Sequence, residues 1–263
     1  STIKSSGGDY SSLATWDAAV ASDLTAATTK VFSHGGITGI IEDGSTVIGA
    51  TSGATGKAVH VTSTQILIKN ISDTFSSGEQ VLKNATNYVT ISNAGDSAIA
   101  VAELYFQENL SSTLTLGAWT TSATNYVVIR AAPSARHTGV IGAGGAGIKS
   151  AASTGELLSS SVAYLRLTNL YLESTGSSTS PVINLTSGAV ETRISGCLIR
   201  KSPSATSGYV VSVASGLVKL SSNFFIDSHA ASTDCALYWT STASGNNYLY
   251  GNTFYSSAGT ADL

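Results

Sequence analysis

Leu165-Arg166-Leu167-Thr168-Asn169-Leu170-Tyr171-Leu172 is followed by Thr192-Arg193-Ile194-Ser195-Gly196-Cys197-Leu198-Ile199, then by Val218-Lys219-Leu220-Ser221-Ser222-Asn223-Phe224-Phe225-Ile226 and by Tyr248-Leu249-Tyr250-Gly251-Asn252-Thr253-Phe254-Tyr255. The anchor residues Leu167, Ile194, Leu220 and Leu249 lie 27, 26 and 29 positions apart. Short strands recurring at a nearly fixed period, with turns of variable length between them, are the pattern of a solenoid. In a solenoid the same position of each coil stacks into a column, so functional groups have to be sought in columns.

A second strand family keeps the same period. Val182-Ile183-Asn184-Leu185, Val210-Val211-Ser212-Val213 and Ala236-Leu237-Tyr238-Trp239 place Leu185, Val213 and Trp239 at spacings of 28 and 26. Each coil therefore has at least two parallel faces, stacked at about 4.8 Å. Further β-type runs, each bounded by Gly, Asn, Ser or Thr, occur at Val47-Ile48, Ala58–Val61, Gln65–Ile68, Tyr88–Ile91, Ala98–Val101 and Tyr126–Ile129. Asn87–Ile91 and Asn125–Ile129 echo each other 38 residues apart, which suits one coil plus an inserted loop.

The chain has 263 residues, enough for one large all-β domain, and no charged or Pro-rich linker divides it. Charged residues are 11% and hydrophobic residues 42%, with 75 Ser and Thr, so the polarity is mostly uncharged and the chain builds a core. The net charge of -3 argues against nucleic acid. No apolar stretch is long enough to span a bilayer, and Ser1-Thr2-Ile3-Lys4 does not lead into a signal-peptide core, so no membrane insertion is expected. Cys197 falls on a repeat strand and reads as a buried free thiol in preference to a bridge with Cys235.

From Ser11 to Leu24, apolar Leu13, Trp16, Ala19, Val20 and Leu24 recur at helical spacing, with Asp9 and Ser11 as N-cap oxygens. This reads as an amphipathic helix capping the open end of the solenoid. The expected organisation is one domain overall, residues 1–30 carrying the capping helix and 31–263 the coil.

The turns at Ser222-Asn223-Phe224-Phe225 and Gly251-Asn252-Thr253-Phe254 resemble those of the right-handed parallel β-helix superfamily, which includes pectate-lyase-like enzymes and phage tailspikes. The likeness covers roughly residues 57 to 257. The opening Gly7-Gly8-Asp9-Tyr10-Ser11-Ser12-Leu13-Ala14-Thr15-Trp16 is similar to the start of β-helix proteins from phages and environmental viruses. The resemblance implies an all-β, single-stranded right-handed parallel β-helix. It also implies a homotrimer on a virion surface or in the extracellular space, with other virion proteins or cell-surface glycans as partners. The first functional expectation is accordingly a non-enzymatic decoration or fibre protein; the alternative is a polysaccharide lyase or glycosidase.

Two outward columns carry charge. Arg166, Arg193 and Lys219, extended by Tyr248, form a column of one sign, and like charges directly opposite are unfavourable. Either Glu191 and neighbouring acids neutralise it, or it meets an anion such as a glycan carboxylate or sulfate. Glu173, Arg200 and Asp227, spaced 27 and 27, are expected to alternate in sign as a ladder. Asn223 and Asn252, one coil apart, read as an asparagine ladder.

For catalysis the nearest acid cluster is Asp227, His229 and Asp234, around one turn. His34, His60 and His137 have no metal-ligand spacing, and the residues call for neither metal nor cofactor. Gly142, Gly144 and Gly147 satisfy G-x-G-x-x-G, but Ile148 interrupts a phosphate loop and no helix pattern follows. That stretch reads as a flexible loop.

Overall fold

The computed structural model describes residues 1–140, 144–150, 156–175, 179–201, 209–227, 236–239 and 247–256. They fall into two compact units: Ser1–Asp17 with Val101–Ala118 and Val127–Leu263, and Ala18–Ala100 with Trp119–Tyr126.

The first unit is a parallel β-solenoid with three faces. Strands Thr2–Ile3, Ala100–Leu104, Val127–Ala131, Tyr164–Thr168, Glu191–Ser195, Leu217–Ser221 and Tyr248–Tyr250 stack in that order on the first face. Gln107–Leu110, Gly147–Ser150, Tyr171–Ser174, Leu198–Lys201, Phe224–Asp227 and Thr253–Ser256 form the second. The five strands Leu114–Leu116, Leu158–Ser160, Ile183–Leu185, Val211–Val213 and Leu237–Trp239 form the third, and so define five full turns.

The register is the one the repeat implies: Leu167 pairs with Ile194, Ile194 with Leu220 and Leu220 with Leu249. Leu167, Ile194 and Leu220 are 1%, 0% and 1% exposed, whereas Leu249 in the last strand is 47% exposed. Full burial of such a side chain is worth about 1.5–3 kcal/mol. The first and second faces meet at a sharp corner, where Asn169, Gly196, Ser222 and Gly251 all have φ between 55° and 62°. Each of the four quoted repeats therefore contains two strands and the left-handed residue that turns between them, and this adds a third face to the two that the spacings show.

Asparagines fasten that corner. Asn223 Oδ1 accepts from the Cys197 backbone N–H at 3.0 Å, and its Nδ2 donates to Ile194 O at 2.8 Å. One turn on, Asn252 repeats the pattern with the Asn223 N–H at 3.0 Å and Leu220 O at 2.9 Å. Cys197, at the same position one turn earlier, is a buried free thiol whose pKa burial pushes up to about 12. Cys235 lies outside the described residues.

The second unit departs from the expected coil. Gln65–Lys69, Thr55–Val61, Thr46–Gly49, Gln80–Asn84, Asn87–Ile91 and Lys30–Thr38 are successive neighbours, all antiparallel, and Lys30–Thr38 pairs back onto Gln65–Lys69. This closes a six-stranded barrel, which leaves those strands no open edge. Its interior holds Phe32, Val47, Ala58, Ile66, Ile68, Phe75, Val81, Val89 and Ile91, with Phe32 edge-on to Phe75 at 5.4 Å. The two echoing segments thus have different partners, Asn87–Ile91 in the antiparallel barrel and Val127–Ala131 in the parallel solenoid. Their common pattern of alternating apolar residues is equally suited to either pairing.

The helix near the start runs only from Leu13 to Val20. Ser12 caps it, its Oγ accepting from the Thr15 N–H at 3.1 Å while Thr15 Oγ1 accepts from the Ser12 N–H at 3.2 Å. Asp9 is engaged elsewhere and accepts from the Thr2 N–H at 2.6 Å. Asp23, accepting from the Thr25 and Ala26 N–H groups, builds a turn that contains Leu24. Leu13 and Trp16 are fully buried, and the Leu13 N–H donates to Glu108 Oε2 at 2.9 Å in the first turn of the second face.

Gly147–Ser150, the end of the glycine-rich stretch, is a strand and not loop. At Gly147 an added Cβ would lie 1.9 Å from Tyr171 O, so that glycine serves close strand packing.

Candidate functional site

The first face gathers the predicted column. Arg166 pairs with Arg193, Arg193 with Lys219 and Lys219 with Tyr248, one residue from each of four successive strands. Alternation along each strand turns Leu165 and Leu167 inward and Arg166 outward, and the same holds in the strands that follow.

Glu191 sits beside the column and divides its carboxylate between two members. Arg193 Nε donates to Oε1 at 2.6 Å and Lys219 Nζ to Oε2 at 2.5 Å. Burial pushes this carboxyl up, but hydrogen bonds and charge from Arg193 and Lys219 outweigh it and hold the pKa below the ordinary carboxylate value. Lys219 Nζ also stands 5.8 Å from the ring centre of Tyr248, within cation–π range.

Cations outnumber acids among the described strand residues of this face. The outward residues of the first face include Glu103, Arg130, Arg166, Glu191, Arg193 and Lys219, four cations against two acids, in a chain of net charge -3. Glu103 is occupied by Arg130 at 2.8 Å and Glu191 by two cations, so the described strand residues of this face carry a formal excess of two positive charges. Arg193 and Lys219 remain 44% and 35% exposed and can offer further N–H groups to a ligand.

The other outward column follows a shifted register. Arg200 stacks on Glu173 and bonds to it at 2.7 Å, with Lys149 on the other side at 3.2 Å. The next residue in the column is Ile226, because the turn from Arg200 is 26 residues long; Asp227 falls in register with Lys201 instead. The ladder is therefore Lys149, Glu173 and Arg200, and the expected place of Asp227 in it is corrected. His229 and Asp234, proposed with Asp227 as an acid cluster, lie outside the described residues.

Beyond Tyr248, three tyrosines missed in the sequence reading occupy the last turn, one on each face. On successive strands Ser195, Ser221 and Tyr250 are in register, as are Asn184, Ser212 and Tyr238, and Arg200, Ile226 and Tyr255. Four outward positions of the last turn are thus tyrosine, exposed by 38% at Tyr238, 55% at Tyr248, 80% at Tyr250 and 49% at Tyr255. Tyr248 and Tyr250 share one face of one strand, some 7 Å apart at two residues' rise. Extending the period by one turn from Ser195 and Ser221 finds Tyr250.

On the first face, cations able to grip a carboxylate or sulfate thus adjoin Tyr248 and Tyr250, whose rings can take a sugar face. Comparison of the chain with protein-family models, with curated proteins and with solved structures finds no match.

Proposed function

We propose that this protein is a structural or adhesive surface protein of a virion, a right-handed solenoid that assembles as a trimer and binds acidic glycans along its first face. The observation that carries the binding reading is the in-register column Arg166, Arg193, Lys219 and Tyr248, with its excess of positive charge and exposed tyrosine end. Right-handedness accords with the strong preference of parallel crossovers for that hand. The virion setting and the trimer rest on the resemblance of the opening segment and of the Asn-containing turns to phage β-helix proteins. In this reading Leu13 and Trp16 help the short helix to cover the start of the coil.

The test pairs location with binding. Mass spectrometry of purified virions is expected to detect the protein, and sedimentation to give a trimer. On an array of acidic glycans Arg193→Ser combined with Lys219→Ser is expected to weaken binding about tenfold or more, from two lost charge contacts of up to about 1 kcal/mol each. Unchanged affinity in a folded double variant overturns the glycan site.

A further inference from the structure

The first face carries a second row beside the cation column. Thr168 pairs with Ser195, Ser195 with Ser221 and Ser221 with Tyr250, so three hydroxyls lie in register and end at a tyrosine that is 80% exposed. Each member stands two residues along its strand from a member of the cation column, and so points to the same side about 7 Å away. Thr168, Ser195 and Ser221 are half-buried, and among the described residues none of their hydroxyls has a hydrogen-bond partner within the protein.

Both rows have limits. One turn before Arg166 and Thr168 the same positions hold Val128, which is uncharged, and Arg130, which Glu103 already holds. At the other end both rows finish in the tyrosines of one strand, Tyr248 and Tyr250. The shared stretch is therefore four turns long. In three of them a cation and an unbonded hydroxyl recur side by side, at steps of about 4.8 Å.

A ligand that matches this surface repeats at the same step. One sugar of an extended polysaccharide occupies close to the rise of one turn, and an acidic sugar carries its anionic group and its ring hydroxyls at different edges. A compact anion meets one turn and leaves the others unused, whereas tethered sugars add the weak contacts of successive turns.

We propose that the glycan bound by this face is a linear acidic polysaccharide laid along the solenoid axis, one sugar to a turn. Its anionic groups lie on the cation row, its hydroxyls on the row of Thr168, Ser195 and Ser221, and its end sugar against Tyr248 and Tyr250. This rests on the acidic-glycan reading of the same face and adds the ligand's class, direction and length.

The experiment is a calorimetric titration of the full chain, at low ionic strength, with chondroitin sulfate fragments of increasing length. Each added sugar is expected to tighten binding about two- to fivefold until four turns are filled. Longer fragments should gain only the statistical factor for sliding along the rows. Ser195→Tyr sets a ring across the middle of the hydroxyl row, at an outward strand position where an aromatic side chain is tolerated. It should bring the affinity of a tetrasaccharide down to about that of a disaccharide while leaving the disaccharide within about twofold. Binding that does not depend on length, or undiminished tetrasaccharide binding in folded Ser195→Tyr, overturns the axial track and leaves the cation column as a site for a single anion. No binding at any length overturns the acidic-glycan reading itself, and the track with it.

Discussion

Replacing Asn223 by Ala tests whether the asparagine corner holds the turns of the solenoid in register. Asn223 is 2% exposed, and its amide satisfies two backbone groups of the preceding turn, the Cys197 N–H at 3.0 Å and Ile194 O at 2.8 Å. Cys197 and Ile194 are themselves 1% and 0% exposed, so solvent offers those groups no ready substitute. Each buried group left without a partner costs about 1–3 kcal/mol, and two give an expected loss of about 2–6 kcal/mol. Asn252 Oδ1 keeps its bond to the Asn223 backbone N–H, so the damage should fall on one turn and not propagate. Urea unfolding measures the loss, and hydrogen exchange at the Cys197 amide locates it. Asn252→Ala is expected to cost less, because Asn252 is half-buried and its backbone partners lie nearer the exposed last strand. A loss below about 0.5 kcal/mol for Asn223→Ala, with Cys197 protection unchanged, would refute the reasoning, since it would mean the amide replaces nothing that water cannot supply.

Gly196→Ala should destabilise by at least about 1–2 kcal/mol in thermal or urea unfolding, because a left-handed backbone disfavours a Cβ. Its φ is 62°, and the added Cβ would stand 2.4 Å from Asn169 Oδ1. The opposite exchange one turn later, Ser222→Gly, should be close to neutral, relief of the left-handed strain being offset by roughly 0.5–1 kcal/mol of glycine backbone entropy. Glu108 is buried, and burial raises its pKa against the smaller opposing effect of the Leu13 N–H. A carboxyl whose folded pKa lies above its unfolded one holds its proton better when folded, so stability falls as pH rises from the unfolded value through the folded one. Glu108→Gln keeps an acceptor for Leu13 and removes the titration; it should match the wild type in acid and exceed it at neutral pH in unfolding midpoints, and parallel pH curves would contradict this.

The solenoid was legible because stacking repeats a chemical environment once per turn. Leu167, Ile194, Leu220 and Leu249 could be aligned by eye, and with them came the pairing of Arg166, Arg193, Lys219 and Tyr248. Asp227 was misplaced by one residue because equal spacing was assumed where the turn after Arg200 is one residue shorter. Alternation cannot distinguish parallel from antiparallel pairing, so the barrel strands passed for coils. A usable signal lay in the connections: residues 62–64 join Thr55–Val61 to Gln65–Lys69, and residues 85–86 join Gln80–Asn84 to Asn87–Ile91. Parallel neighbours need a crossover of about a dozen residues or more, so links this short admit only hairpins.

The strand Thr2–Ile3 pairs with Glu103 and Leu104, so the first face begins with a contact spanning about 100 residues. Beside the barrel, the short strand Asp96–Ser97 pairs with Lys30–Thr38, Lys30 facing Ser97. A barrel that forms first therefore splices out the chain between those residues and shortens the remaining loop to about 35. By the logarithmic dependence of closure entropy on length this lowers the cost of the first solenoid contact by about 1 kcal/mol. During synthesis the N-terminal strand waits for a partner made a hundred codons later, and the barrel lies wholly within that interval. A barrel that closes within that interval shortens the search by which the two strands of the first face meet.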